Sequence, residues 1–304
     1  MKGADDGYTQ KLEKELRDLK EQLSSQQEMY EMTALYLKKV ENDLRATHNE
    51  LLKTNKVLTD SINYSKRIQD VFLVDNDTLK KYFPNSFLFQ KPKNVVSGDF
   101  LWANDNGKMV TLGLGDCTGH GVPAAMLSIF IISMLNLIIS SNPKINPASL
   151  LESLDNLIIK YLSQASEILR DSAEISIIQF DRNSLKLIFS SAKRPLIHIS
   201  DHNLIIHKGS KRVLGNYNGQ KEPIDNIEIP VKKNDVLYMF SDGFTDQFGG
   251  QYSTKFTLKR LVNLLHEISD LPMNQQNDII QTTFNNWKGE QNQIDDVLVV
   301  GLRV

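Results

Sequence analysis

Five aspartates stand where apolar, strand-like segments of the sequence end or begin. Asp99, Asp116 and Asp242 each lie beside a glycine at such a place, and Asp295 and Asp296 directly precede the last segment. A carboxylate next to a buried strand is costly unless it is paired or binds a metal. Any one of these acids is more often a turn residue than a ligand, so only their joint pattern carries weight. Converging aspartates would form an oxygen-only site, which suits Mg²⁺ or Mn²⁺ rather than zinc.

The most specific segment is residues 115–125, in which an aspartate is followed by two glycines and then by Pro123. The glycines allow a turn that exposes backbone amides and carbonyls to a metal or a phosphate before a helix begins. Other common chemistries lack their residues. The sequence has no P-loop, its one cysteine, Cys117, lacks the arginine of a cysteine phosphatase, and its histidines lack zinc-site spacing. A single cysteine also excludes a disulfide framework.

The composition is that of a folded chain with nearly balanced charge. Of 304 residues, 40% are hydrophobic, and 35 Lys and Arg oppose 37 Asp and Glu, for a net charge of −2. This argues against disorder and against a nucleic-acid-binding protein. The N-terminus lacks the apolar stretch of a signal peptide, so we expect a cytoplasmic protein. Residues 122–139 carry no charge, but their polar residues and flanks favour a core helix, covered on most sides, over a membrane span.

Residues 9–83 contain neither proline nor glycine, which predicts a helix far longer than globular ones. Alternating steps of four and three from Leu12 give a mostly apolar seam over many heptads, the pattern of a coiled coil. Polar residues interrupt this seam at Gln26, Thr33, Thr47, Thr54 and Ser61. Because they weaken a coiled coil, we expect the half nearest the next domain to be the weaker one. A passive dimerising stalk and a conformational switch both fit this pattern.

After the long helix the hydrophobic period changes, and we divide the chain into a dimerising, regulatory coil at 1–79 and a globular domain at 80–304. Strands are predicted at 87–90, 95–96, 109–114, 175–180, 185–189, 196–199, 203–206, 235–240 and 297–302. Helices are predicted from Pro123 and at 147–161, 254–269 and 273–287. Because the hairpin-linked strands and the helices form separate blocks, we expect a layered α+β domain and not a Rossmann fold.

Four segments in this order make residues 80–304 resemble the metal-dependent protein phosphatase (PPM) family, in its bacterial SpoIIE-like or RsbU-like branch. They read VSGDF at 96–100, GDCTGHGVP at 115–123, FSDGFTD at 240–246 and DDVLVV at 295–300. Each segment is weak alone, whereas together they are specific and span the domain. The resemblance implies an α-β-β-α sandwich, with two antiparallel sheets flanked by helices and a metal site at one edge.

The resemblance also implies a role for each acid. Asp116 would bridge two Mn²⁺ or Mg²⁺ ions, and the backbone carbonyl of Cys117 would bind one of them. Asp242 and Asp295 would complete the coordination of the other ion, and Asp99 would bind a metal ion directly or through a water. A water between the ions would attack the phosphorus, so Asp99, Asp116 and Asp242 count as catalytic residues.

Several neighbouring residues receive a plainer expectation. His120 is expected to be a turn or helix-start residue, and Lys91 and Lys93 to be a solvated pair. Asp296 is expected to support the ligands and not to be one of them. Where many relatives have Asp-Gly-Met-Asp, residues 171–174 read Asp-Ser-Ala-Glu, which leaves the contribution of that loop open.

The resemblance therefore predicts a cytoplasmic serine/threonine phosphoprotein phosphatase. Its substrate would be a phosphoserine or phosphothreonine on a regulatory protein of the STAS-domain type. A homodimer formed through the coil would relay a signal from an upstream sensor domain or activator. The alternatives are a catalytically silent interaction module that acts through its coil, and a nucleotide phosphodiesterase. The absence of His-Asp metal pairs weighs against the second alternative.

Overall fold

The computed structural model describes residues 4–162, 171–215 and 222–304. Contacts divide the chain into two units, one that ends at Ser61 and one over Ile62–Val304. The functional division at residue 79 stays a prediction, and by contacts residues 62–79 belong to the second unit.

Helices and strands alternate in blocks along the described residues. The helices are α1 (Ala4–Phe72), α2 (Asn76–Tyr82), α3 (Val122–Ser141), α4 (Pro147–Leu162), α5 (Gly243–Asp246), α6 (Leu258–Glu267) and α7 (Met273–Lys288). The strands are β1 (Ser86–Lys91), β2 (Phe100–Asp105), β3 (Met109–Cys117), β4 (Ala173–Asp181), β5 (Lys186–Ala192), β6 (Leu196–Ser200), β7 (Asn203–His207), β8 (Ile227–Pro230), β9 (Val236–Phe240), β10 (Phe248–Gly249), β11 (Thr254–Lys255) and β12 (Val297–Arg303).

The described part of the first unit is a single exposed helix, the greater part of α1. Every side chain from residue 7 to residue 61 is exposed, including the leucines of the predicted seam. Three polar seam residues, Thr33, Thr47 and Ser61, donate their hydroxyls to the carbonyl four residues earlier in the same helix. Such bonds satisfy the hydroxyl without adding any contact to a partner helix. The coiled coil itself stays a prediction.

The predicted helix is interrupted before residue 83, so the expectation of one unbroken helix was wrong. Helix α1 ends at Phe72, and Asp75 caps α2 by accepting the backbone N–H of Thr78 at 2.8 Å. Between the two helices Val74 is buried, and its N–H donates to the carbonyl of Leu101 at 3.0 Å. A tertiary bond and an aspartate cap thus end the helix where neither proline nor glycine is present.

The second unit is an α-β-β-α sandwich, which confirms the predicted fold class. One sheet has the order β1-β12-β9-β6-β7 and the other β2-β3-β4-β5-β8, with antiparallel neighbours throughout. Side chains alternate between the two faces of each strand. In β12, for example, Leu298 and Val300 pack between the sheets, whereas Val297 and Val299 pack with α6 and α7. Helices α3 and α4 cover the outer face of the other sheet.

Two other element predictions were wrong. Residues 95–96 form no strand, because Val96 is buried within a loop over residues 92–99. The helix expected from residue 254 begins at Leu258, after the short strand β11. The backbone before it is used in tertiary contacts, since the N–H groups of Phe256 and Thr257 donate to the carbonyls of Gln247 and Thr245.

Helix α3 is long and apolar enough to span a membrane by length and composition. Eight of its residues are buried in the second unit. Its opposite face is open, and Met126 is 67% exposed there. The helix is therefore a core helix covered on one side, less covered than the sequence predicted.

The end of α1 is bonded to the loop of residues 92–99. Gln69, which is 1% exposed, donates to the carbonyl of Ser97 at 2.6 Å and to Oγ of Ser128 at 3.1 Å. Its side-chain oxygen accepts the N–H of Ser97 at 3.1 Å. One amide side chain thus satisfies both backbone groups of Ser97 and connects α1, α3 and the loop.

Replacing Gln69 with leucine should destabilise the second unit. The change leaves the buried N–H and carbonyl of Ser97 without partners, which should lower the free energy of unfolding by about 2 kcal/mol. Urea denaturation followed by tryptophan fluorescence measures this loss. The control is Gln275→Leu, an exposed glutamine on α7. Equal unfolding free energies for the Gln69 variant and the wild type would contradict this account of the contact.

Candidate metal centre

Two of the acids face each other across neighbouring strands. Asp116 near the end of β3 is paired in register with Glu174 at the start of β4. Directly opposite residues of an antiparallel pair lie close enough for their side chains to interact. Carboxylate oxygens of Asp116, Glu174 and Asp242 all lie within 4.8 Å of one another. The described part of the chain thus contains a three-carboxylate cluster drawn from β3, β4 and the turn between β9 and α5.

Asp242 reaches this cluster because a glycine lets two chain segments meet. Ser241 follows β9, where its N–H donates to the carbonyl of Leu298 at 2.9 Å. At Gly243 an added Cβ would lie 1.8 Å from the carbonyl oxygen of Asp296. Only a residue without a side chain permits this approach. It places Asp242 beside the start of β12.

Asp295 and Asp296 have different surroundings. Asp295 lines the same pocket as the cluster, and its Oδ1 accepts the N–H of Asp296 at 2.9 Å. The carboxylate of Asp296 accepts two backbone N–H groups, those of Lys93 and Gly98, both at 2.7 Å. Both Asp296 oxygens are engaged, so this side chain holds the loop of residues 92–99 in place.

Asp99 lies on that loop and is 2% exposed. Its Oδ2 accepts the hydroxyl of Ser241 at 2.5 Å, and its N–H donates to Oγ of Ser97 at 3.1 Å. Burial, and after it the charge of Asp116, raise the pKa of Asp99 well above its ordinary value. A nearby cation would stabilise the ionised form of such a buried acid.

The pocket at the cluster has a volume of about 160 Å³. It is lined by Asp116, Cys117, Thr118, Gly119, Ser172, Glu174, Arg194, Asp242 and Asp295. A larger pocket of about 390 Å³ lies beside α2 and α7, but Asp278 is the one acid on its described wall. The acid cluster therefore favours the smaller pocket as the site of chemistry.

The charge at the site is strongly unbalanced towards negative. Burial raises the pKa of Asp116 to about 7, against the lowering effect of Arg194 and together with the charges of Asp242 and Glu174. Burial also raises the pKa of Asp295. Such shifts show that ionising these acids together is costly without added positive charge. An all-oxygen donor set of this kind fits Mg²⁺ or Mn²⁺.

Arg194 supplies positive charge at this place, and sequence reasoning missed it. Its Nη2 lies 2.5 Å from Asp116 Oδ2, 2.8 Å from Asp242 Oδ2 and 2.6 Å from Glu174 Oε2. Burial alone would lower the pKa of Arg194, but the charges of these carboxylates outweigh it and raise that pKa. The sequence signal was only a basic residue between β5 and β6, whose relation to the acids depends on strand order.

Glu174, one of the residues at which this loop departs from the family pattern, belongs to the cluster. Its loop is bonded to the turn after Asp116, since Thr118 donates its N–H and hydroxyl to the carbonyl of Ser172 at 2.9 and 2.8 Å. Lys193 also pairs with Glu174 from its exposed side. The loop therefore adds a carboxylate to the site.

Of the remaining sequence candidates, Cys117 lines the pocket, whereas His120 and Lys91 lie elsewhere. Cys117 is buried, burial raises the pKa of its thiol, and the residue lines the pocket. His120 is exposed in the turn before α3. Lys91 donates to Asn285 Oδ1 at 2.6 Å and is directed towards α7. Neither His120 nor Lys91 is among the described residues that line the pocket.

Replacing Asp296 with asparagine should loosen the loop that carries Asp99. An amide group would turn one N–H donor towards a backbone N–H, so one bond is lost and a repulsion replaces it. We expect the free energy of unfolding to fall by about 2 kcal/mol. Chemical denaturation measures it, with the exposed Asp278→Asn on α7 as the matched control. If both variants unfold like the wild type, Asp296 does not hold the loop.

Comparisons with known proteins agree with this geometry. The sequence profile described as Stage II sporulation protein E (SpoIIE) matches residues 106–304. No curated protein matches the sequence. Among solved structures, the SiaA-PP2C domain of Pseudomonas aeruginosa is similar, with a TM-score of 0.75 and 27% identity over 83% of this chain and 98% of that one.

Two further structures share the fold at lower identity. The PP2C phosphatase domain of SpoIIE from Bacillus subtilis, with a fragment of its regulatory domain, has a TM-score of 0.57 and 17% identity, covering 72% of this chain and 61% of that one. The RsbU and RsbW domains of Rv1364c from Mycobacterium tuberculosis have a TM-score of 0.58 and 17% identity, covering 73% of this chain and 60% of that one.

The sandwich and its neighbours define the class: the chain has the fold of the PP2C-type, metal-dependent protein phosphatases. Because the SpoIIE profile matches more than half of its length, the chain belongs to the SpoIIE family. The resemblance inferred from its four sequence segments is confirmed.

Proposed function

We propose that this chain is a serine/threonine phosphoprotein phosphatase that uses two Mn²⁺ or Mg²⁺ ions. The convergence of the Asp116, Glu174 and Asp242 carboxylates in one partly buried pocket carries this proposal. The family supplies the reaction class, Asp116 and Asp242 supply ligands that the reaction needs, and Glu174 adds a negative charge beside them. A silent module would have no need to keep these acids together at a cost in repulsion.

The positions of the other predicted ligands support the same site. Asp116 and Asp242 converge, and Asp295 and Cys117 line the pocket with them. Asp99 contacts Ser241, the neighbour of Asp242, through its carboxylate. These residues would hold the ions. When bound, the ions would acidify a water for attack on phosphorus and offset the charge of the phosphoryl group.

Asp242→Asn should abolish metal-dependent hydrolysis. Residues that only support metal ligands already cost 10- to 100-fold when changed, so a ligand should cost about 100-fold or more. Hydrolysis of p-nitrophenyl phosphate and of a phosphoserine peptide is measured with Mn²⁺ and with chelator. The control is Asp278→Asn, which should keep the wild-type rate. A folded wild type without metal-dependent turnover, or an active Asp242→Asn, would contradict the proposal.

For the substrate, we propose a phosphoserine or phosphothreonine on a STAS-domain regulatory protein, in the cytoplasm. The resemblance to the SpoIIE-like and RsbU-like branch of the family implies this choice. The pocket of about 160 Å³ is lined by Asp116, Asp242 and Asp295, beside which the phosphoryl group would lie. Dephosphorylation of phosphorylated STAS-domain proteins, compared with a phosphotyrosine peptide, tests this specificity.

We further propose that α1 forms a parallel coiled-coil dimer through which an upstream sensor or activator controls the phosphatase. The exposed leucines of the seam support this, because a seam of this length is an unpartnered surface for another helix. Gln69 offers a connection, since it bonds the end of α1 to the loop that carries Asp99.

Charges placed on the seam should dissociate the dimer. We expect Leu37→Glu with Leu44→Glu to halve the mass measured by light scattering, because two buried carboxylates would face each other across the seam. The matched control places the same charges off the seam, at the exposed Leu35 and Leu52. A monomeric wild type, or equal dissociation of both double variants, would exclude the seam as the dimer interface.

A further inference from the structure

Arg194 stands at the centre of the acid cluster, where a cation is required. One nitrogen, Nη2, lies within 2.8 Å of carboxylate oxygens from Asp116, Glu174 and Asp242. A terminal guanidinium nitrogen carries only two N–H groups, so it cannot bond ideally to three acceptors. It forms hydrogen bonds with Asp116 and Asp242, and Glu174 Oε2 has charge contact without hydrogen-bond geometry.

Divalent ions held by Asp116 and Asp242 would compete with this arrangement. A guanidinium and a metal ion would then use the same carboxylate lone pairs. Glu174 lies outside the ligand set that the family resemblance implies, so its charge would still pair with Arg194. The main chain of Arg194 is held as well, because its carbonyl accepts the hydroxyl of Ser191 at 2.5 Å. Arg194 would therefore stay at the pocket while releasing the two aspartates.

The burial of Arg194 and its free N–H group suit it to bind an anion in the pocket. The residue is only 9% exposed, and its Nε lies buried without a hydrogen-bond partner. Among the described residues that line the pocket, Arg194 is the one cationic side chain. A phosphate monoester brings about two negative charges at neutral pH and three acceptor oxygens. The guanidinium fork is the side chain best shaped to bind them with two parallel N–H bonds.

We propose that Arg194 is a substrate-binding residue of this phosphatase, which donates through its guanidinium to the phosphoryl oxygens once Asp116 and Asp242 hold metal. The inference rests on the proposed function. In this proposal Glu174 pairs with Arg194 and keeps it at the pocket.

The test uses the full chain with Arg194→Gln and Arg194→Lys. The control is Arg182→Gln, because Arg182 pairs with Asp105 at 2.8 and 3.1 Å away from the pocket. Binding of inorganic phosphate is measured by calorimetry at saturating Mg²⁺, which needs no turnover. We expect Arg194→Gln to weaken phosphate binding about 10- to 100-fold, the loss of charge-assisted bonds, and Arg194→Lys to weaken it less.

Kinetics and stability complete the test. The KM of Arg194→Gln for a phosphoserine peptide should rise together with its Kd for phosphate, whereas both values of Arg182→Gln should match those of the wild type. In chelator Arg194→Gln should melt below the wild type, and Mn²⁺ should restore its melting temperature. Phosphate binding unchanged within twofold in Arg194→Gln would overturn the inference. A weaker affinity of Arg194→Gln than of the wild type for Mn²⁺ would overturn it as well. A wild type that binds phosphate through Arg194 but lacks turnover would instead refute the proposed function alone.

Discussion

The site depends on one constraint: several carboxylates meet in a partly buried pocket, and their repulsion must be offset by positive charge. Burial and neighbouring acids raise the pKa values of Asp99 and Asp116. In this structure the guanidinium of Arg194 supplies the charge. In the proposed enzyme two divalent ions supply it, and Arg194 turns to the phosphate. In that proposed enzyme, affinity for metal and affinity for substrate would both arise from the same excess of negative charge.

The scaffold stabilises this unfavourable meeting through contacts that lie outside the acids themselves. The two sheets bury a continuous apolar layer between them, and helices cover both outer faces. Against that background a few specific contacts hold the site. Gly243 lets two chain segments approach, Asp296 accepts two backbone N–H groups of the loop before β2, and Gln69 satisfies Ser97 on the same loop. The last contact makes the end of α1 part of the support of Asp99.

Much of the fold could be predicted from the sequence, because strand and helix periods are local properties. The interruption after Phe72 could not, since it depends on Val74 bonding to the carbonyl of Leu101, which is distant in sequence. Among the site residues, acids at strand ends were visible as a pattern. The sequence showed Glu174 only as part of a loop that differs from the family pattern, and the register of β3 against β4 placed it beside Asp116. Arg194 entered only through the turn between β5 and β6. Both relations arise from strand order, which residue spacing does not contain.

The proposed function requires two divalent ions at the acid cluster. Titration of the metal-free full chain with Mn²⁺, followed by electron paramagnetic resonance, counts the bound ions directly. We expect two ions per chain for the wild type and a lower count for Asp116→Asn, with the count of the exposed Asp278→Asn unchanged. A folded wild type that binds no Mn²⁺, or an Asp116→Asn variant with the wild-type count, would contradict it.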